Sequence, residues 1–297
     1  MRFPRVKILI LLQVSVGLLS GSILLGQVTG DLRMHTLNSR VFENSRQLRV
    51  WLPPGYEDPG SREQLYPVLY LNDGQNLFDK STAQFSEDEW QVDETVMQMI
   101  EANEIPPLIV VGIDNAGKSG RPNEYLPWED VYLSPPCPDP QGSKYPVFLE
   151  QEVIPFIEKH YRARRDPGSK MLGGSSYGGL ITLYSATALP GTFGGILVES
   201  PSIYVDEARL LQENQDFTAW PARIYLGVGT HEGKSSCTEE RNQEAVSDVL
   251  LLEELVRKNC PDSRVKVVVE ECGMHGEEAW ARRLPGALRF LFGKTGE

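Results

Sequence analysis

The sequence predicts an α/β fold, with a mostly parallel central sheet and helices on both faces. Two observations carry that expectation. From about Gly30 onward, strand-like and helix-like segments alternate, with no internal repeat and no low-complexity linker. Some strand-like segments, such as Pro107 to Ile113 (PLIVVGI), are apolar throughout, as strands buried on both faces are. The length, 297 residues, lies within reach of one α/β domain. With 40% apolar and 24% charged residues, the composition excludes disordered and fibrous classes.

The elements follow in order. Arg46 to Leu52 (RQLRVWL) reads as a strand stopped by Pro53, Pro54 and Gly55. Tyr66 to Leu71 is a short apolar strand ending at Asn72, Asp73 and Gly74. Glu87 to Asn103 carries Trp90, Val92, Val96, Met97 and Ile100 close to helical spacing. After the Pro107 to Ile113 strand, Asp114 to Gln141 is rich in Gly, Pro and Asn and reads as a long loop, a feature that usually serves function. Phe148 to Tyr161 reads as a helix with a kink expected at Pro155. Lys170 to Gly173 is a short strand and Leu180 to Ala188 a helix. Gly195 to Glu199 and Arg223 to Val228 are strands, Asn242 to Lys258 a helix, and Arg264 to Val269 the last strand. Glu277 to Phe292 is a final helix, expected to break at Pro285.

The N-terminus has its own character. Arg2, Arg5 and Lys7 precede an uncharged run from Ile8 to Leu19, followed by small residues at Ser20, Gly21 and Ser22 and again at Thr29 and Gly30. Basic, then apolar, then small is the pattern of a signal peptide. The expected organisation is a signal peptide or N-terminal anchor over residues 1–29 and one folded domain over 30–297. Export is the expectation, with membrane attachment only if the segment stays uncleaved; translation from Met34 would instead leave the protein cytoplasmic. A net charge of -12 argues against nucleic acid as a partner. The four cysteines form no C-x-x-C pair, so zinc is not expected. In an exported chain Cys237 and Cys272, which follow adjacent late strands, are the expected bridge.

Gly174-Ser175-Ser176-Tyr177-Gly178 matches G-x-S-x-G, with a strand before it and a helix after it. Small residues there permit a sharp, strained turn that exposes the middle serine, as in α/β-hydrolases. A serine hydroxyl needs a base to accept its proton. Of His35, His160, His231 and His275, only the last two follow Ser176, and in this fold the order is serine, acid, histidine. His275 lies past the last strand, where the base belongs. His231 lies past the preceding strand, where the acid belongs. Glu232 is therefore the expected acid, with Glu199 its main competitor and Asp206 a weaker one. The oxyanion donors are expected to be the backbone N–H groups of Tyr177 and of Gln75, with Gly74 supplying the unusual backbone that turns the latter inward.

These residues resemble the family of esterases that includes S-formylglutathione hydrolases, feruloyl esterases, enterochelin esterases and mycolyl transferases. The matching pieces are Val50 to Tyr56, Pro67 to Phe78 (PVLYLNDGQNLF), Val111 to Asp114 with Arg121 to Pro127 (RPNEYLP), Gly173 to Gly179 (GGSSYGG), and His275 with Trp280. The resemblance implies an α/β-hydrolase fold, a Ser-His-acid site and no cofactor. It carries Ser176 over as nucleophile, His275 as base, and Gln75 with Tyr177 as oxyanion donors. The acid is the least uniform part of that family, some members resembling a Ser-His dyad. The expected activity is hydrolysis of a small-molecule carboxylic ester through an acyl-enzyme, with no metal. An acyl transferase on the same site, or a non-catalytic binding module, are the alternatives. Trp128 and Tyr132, in the long loop, are read as packing residues that also suit an aromatic acyl group.

Overall fold

The computed structural model describes residues 28–84, 86–137 and 139–293. Apart from Val28 and Thr29, the expected signal segment lies outside the described residues. Eight strands form one sheet in the order β1-β2-β4-β3-β5-β6-β7-β8. They are β1 (Asp31–Asn38), β2 (Ser45–Leu52), β3 (Val68–Asn72), β4 (Ile109–Ile113), β5 (Lys170–Ser175), β6 (Gly195–Glu199), β7 (Arg223–His231) and β8 (Arg264–Met274). The pairs β1–β2 and β2–β4 run antiparallel and every other pair is parallel. This is the mostly parallel α/β-hydrolase sheet that the alternating pattern predicts.

Side chains alternate across each strand, so each strand feeds both faces. Val68, Tyr70, Leu172, Ile196, Val198, Ile224 and Leu226 enter one core, against α5 (Tyr177–Ala188) and α7 (Gln243–Asn259). Leu69, Leu71, Met171, Leu197 and Tyr225 enter the other, against α1 (Val92–Glu101) and α8 (Glu277–Phe292). Near-complete burial of the inner strands β3 to β7 explains their largely apolar sequence, whereas the edge strands β1 and β8 are partly exposed.

Several boundaries differ from the sequence reading. The long Asp114–Gln141 segment contains a helix, α2 (Gly117–Tyr125). Its buried residues include Arg121 and Glu124, which face charged partners in the body of the fold, so no apolar period betrays it. The expected kink at Pro155 is absorbed one turn earlier. There α3 (Tyr145–Phe148) passes through a π-turn (Leu149–Val153) into α4 (Ile154–His160). The break expected at Pro285 is absent: α8 is continuous, because Trp280, Leu284, Ala287, Leu288 and Leu291 are buried on both sides of the proline. A further segment, α6 (Val205–Glu213), follows β6, with Asp206, Glu207 and Ala208 in left-handed conformation before its helical part.

The chain is anchored ahead of β1. The Thr29 N–H donates to Asp93 Oδ2 at 2.6 Å, and the Trp51 indole donates to the Thr29 carbonyl at 2.7 Å. Met34 sits inside β1, opposite Arg49 of β2. A chain started at Met34 would lose both anchors and the Asp31, Leu32 and Arg33 rungs. The lost hydrogen bonds, with the buried Asp93 carboxyl and the Trp51 indole left without these partners, make this worth on the order of 3 kcal/mol. A variant lacking residues 1–33 should melt roughly 5–10 °C below one beginning at Val28, as measured by calorimetry.

Candidate active site

Ser176 sits between β5 and α5 with φ 57° and ψ −126°. Such a conformation costs on the order of 1–3 kcal/mol and persists only where neighbours enforce it. Here the Ser176 N–H donates to the Glu199 carbonyl at 3.0 Å, while its own carbonyl accepts from Leu180 at 3.0 Å and Ser202 at 3.2 Å. The turn also requires close backbone approach. A Cβ on Gly174 would lie 2.6 Å from the Gly178 carbonyl oxygen, and one on Gly178 would lie 2.9 Å from Asp73 Oδ2. The glycines of the motif are thus sterically required on both sides of the serine, whose side chain faces a cleft at the carboxyl end of the sheet.

His275 follows directly on β8, which runs five residues beyond the strand read from sequence. Its Nδ1 lies 2.6 Å from Glu232 Oε2, and the Trp280 ring packs edge-on against it with centroids 5.2 Å apart. A neutral imidazole donating from Nδ1 to this carboxylate presents Nε2 as an acceptor. Glu232, buried just past β7, accepts at Oε1 from the Ser200 hydroxyl at 2.6 Å and the Gly229 N–H at 2.7 Å. Burial alone would raise its pKa. The hydrogen bonds and charge of His275, with those of Ser200 and Gly229, outweigh burial and hold the carboxyl below its ordinary value. Ser200 in turn accepts from the Trp280 indole at 2.9 Å. The sequence does not mark Ser200: a serine beside a strand end carries no local signal of what it will hold.

The competitors occupy other roles. Glu199 is fully buried and paired with Arg283 at 2.7 Å, and burial raises its pKa against the pull of that guanidinium. Asp206 pairs with Arg209 at 3.1 Å on the exposed face of α6. His231 is buried against the Thr230 hydroxyl at 2.9 Å and the Glu239 carbonyl at 3.2 Å. Cys237 and Cys272 form a disulfide, while Cys137 and Cys260 are buried as free thiols. Among the described residues, His231, Cys237 and Cys272 are the only His/Cys/Asp/Glu group close enough to hold a metal, and two of its three ligand atoms are bonded to each other.

Gln75 lies in a short 3-10 turn (Gly74–Asn76) after β3. Its side chain donates to Gln84 at 3.2 Å and accepts from the Asn115 N–H at 3.2 Å, so the amide group is turned to neighbouring loops. Its flanks Asp73 and Asn76 line a chamber of about 220 Å³ beside Ser176 and His275. The left-handed residue of this turn is Asp73, with φ 58°, not Gly74. Gly74 is required for contact instead: a Cβ there would lie 2.6 Å from the Gly112 carbonyl carbon and 2.8 Å from the Ile113 nitrogen. Tyr177 opens α5, where the first N–H groups lack intrahelical acceptors; its phenol donates to buried Asp130 at 2.5 Å.

Arg121, named in the sequence only as part of a matching segment, holds this floor together. It grips Asp73 with two 2.7 Å hydrogen bonds, from Nε and Nη2, and reaches the Ser175 carbonyl at 3.4 Å. Removing the cation leaves a buried carboxylate uncompensated, which typically costs about 3–5 kcal/mol. Arg121→Met should therefore lower the urea midpoint sharply, whereas Arg209→Met, at an exposed pair, should barely move it.

The cleft in front of Ser176, about 660 Å³, is lined by Ser176, His275 and Glu232 together with Tyr132, Tyr204, Pro201, Val228 and Ala245. Tyr132 is 78% exposed and meets Tyr204 edge-on at 5.9 Å. Trp128 is instead packed on Tyr184 at 5.5 Å, so the two aromatic residues of the loop divide between wall and core.

The family model described as "Putative esterase" matches residues 39–291. The uncharacterized protein YbbA of Bacillus subtilis is 25% identical over 269 residues, covering 90% of this chain and 98% of that protein. The iron(III) enterobactin esterase of Dickeya dadantii is 24% identical over 240 residues, 72% of this chain but 47% of that longer protein. Among solved structures, the BES protein from Bacillus cereus superposes with a TM-score of 0.69 at 22% identity, covering 90% of this chain and 97% of that one.

Proposed function

The chain belongs to the esterase family of α/β-hydrolases and is an ester-hydrolysing enzyme, and from that premise we propose that it cleaves small-molecule carboxylic esters through an acyl-enzyme on Ser176. The observation that carries this reading is the 2.6 Å pair between His275 and buried Glu232, beside the strained turn of Ser176 on one cleft. His275 Nε2 takes the hydroxyl proton as Ser176 Oγ attacks the ester carbonyl carbon. Glu232 keeps the imidazole in the donating tautomer and stabilises the cation. The N–H groups of Gln75 and Tyr177 receive the oxyanion. Collapse breaks the bond to the alcohol, which leaves with the proton held by His275. Water then repeats the sequence on the acyl-enzyme.

The exposed Tyr132–Tyr204 wall supports an ester with an aromatic acyl part. A panel of p-nitrophenyl esters, a feruloyl ester and a catecholate trilactone, run with wild type and Ser176→Ala, tests this. Preference for the aromatic members by kcat/KM is the expected result; equal turnover of a short aliphatic ester overturns the substrate class. Export is proposed as well. A disulfide between Cys237 and Cys272 suits an oxidising compartment, and the fold uses residues ahead of Met34. The mature N-terminus of the native protein should fall between Ile23 and Asp31 by Edman sequencing; an intact Met1 or Met34 would refute export.

A further inference from the structure

We propose that the Cys237–Cys272 disulfide is a positioning element of the active site, holding the Glu232 loop against the strand end that carries His275, so that its reduction lowers turnover without unfolding the enzyme. The inference rests on the Ser176-His275-Glu232 reading above.

The two halves of the pair arrive from separate elements. Glu232 lies one residue past β7, at the start of a loop that runs through Cys237 before α7 begins at Gln243. His275 lies one residue past β8, three residues after Cys272. The parallel register of β7 and β8 is broken just here, shifting between Gly229 and His231. The pairing resumes only at His231 and Met274, the last residues before Glu232 and His275, so a single rung beyond the irregularity aligns the two ends. The disulfide adds a covalent tie beside that rung, joining Cα atoms 5.2 Å apart across 35 residues of chain.

Cys272 also carries backbone strain. Its φ is 60°, a left-handed conformation that a residue with a side chain adopts only under local constraint. The Thr230 hydroxyl accepts its N–H at 2.9 Å, and the disulfide holds its side chain. That conformation directs the chain so that Gly273 packs on Gly229, where a Cβ would meet the Gly273 carbonyl oxygen at 2.1 Å. Gly229 is the residue whose N–H holds Glu232, at 2.7 Å. Strain, disulfide and the Glu232–His275 contact thus form one connected unit. Besides the Glu232–His275 contact itself, Arg241–Glu271 at 2.8 Å also ties the loop to this strand end, but it is a solvent-exposed pair of the kind worth little.

In reduction, a dithiol gives up two hydrogens and closes to its own cyclic disulfide; the S–S bond breaks and each cysteine Sγ gains one hydrogen. Freed of the bridge, Cys272 can relax to negative φ, which moves His275 relative to Glu232. Displacements near an ångström at a catalytic group cost up to about 10²-fold.

The test compares the full chain, the same protein treated with dithiothreitol, and Cys237→Ser/Cys272→Ser, each with and without Glu232→Gln. Turnover of p-nitrophenyl acetate is expressed per folded molecule, the folded fraction being read by near-UV circular dichroism. Losing the bridge should lower kcat about 10- to 100-fold with KM changed less than about twofold. In the Glu232→Gln background the same loss should shrink below about twofold, since the bridge acts through that pair. Dithiothreitol should not alter the double serine variant, which excludes effects through Cys137 and Cys260. If that variant does not fold, the reduced wild type supplies the ratio. An unchanged kcat per folded molecule overturns the proposal alone. So does a full-sized effect persisting in the Glu232→Gln background. Full activity in Glu232→Gln itself overturns the triad reading, and this proposal with it.

Discussion

Ser176→Ala is expected to reduce ester turnover by on the order of 10³-fold or more while the protein remains folded. Every hydrogen bond that enforces the turn uses the Ser176 backbone, namely the N–H to Glu199 and the carbonyl to Leu180 and Ser202. Alanine keeps all three. It also keeps the positive φ, so the strain of the turn is the same in both proteins. The hydroxyl is the only group lost, and with it the bond that would link enzyme to acyl group. A small residual rate should survive, because substrate binding and the oxyanion donors are untouched. A fluorophosphonate probe should label wild type stoichiometrically and the variant not at all. More than a tenth of wild-type activity in the variant would sink the assignment of the nucleophile.

The legibility of this site in sequence followed the physics of each part. The Ser176 turn was readable because sterics dictate small residues at fixed offsets, and Gly174 and Gly178 are small for the contacts the structure contains. The inner strands are readable because two-sided burial leaves little room for polar residues; β1, a half-exposed edge strand rich in polar residues, is not. Prediction failed where burial is polar. Helix α2 buries Arg121 and Glu124 against Asp73 and Arg46, so it reads as an irregular loop. The end of β8 eludes the sequence for the opposite reason: it lies on the partly exposed sheet edge, where Glu270 and Glu271 pair with Arg282, Arg283 and Arg241 and leave no apolar pattern. Gly74 serves close approach to β4 rather than an unusual backbone, and the left-handed turn falls to Asp73. Ser200 was invisible because its role depends on which residues three other elements bring to it.

The second large effect separates His275 from Glu232. His275→Ala should be about as damaging as Ser176→Ala, and combining the two should cost little more than either, because they disable one unit. Glu232→Gln should cost less, about 10²- to 10⁴-fold, since the glutamine keeps the volume but removes the charge that stabilises the imidazolium. The pH profile tells them apart. An imidazole must be neutral to accept the serine proton, so kcat/KM should rise with pH through one ionisation. Glu232 does not supply that limb. Its pKa is held below the ordinary carboxylate value, so it stays charged as pH falls through the range where an imidazole gains a proton, and its own protonation would come at lower pH. Glu232→Gln should therefore lower the whole profile while keeping its rising limb. Glu199→Gln is the control: Glu199 faces Arg283, so its loss should reduce stability and leave kcat per folded molecule close to wild type. If Glu199→Gln instead abolished turnover while Glu232→Gln did not, the acid would belong to β6 rather than β7. If neither mattered, His275 would act as a dyad with Ser176, its 2.6 Å contact to Glu232 contributing only to structure.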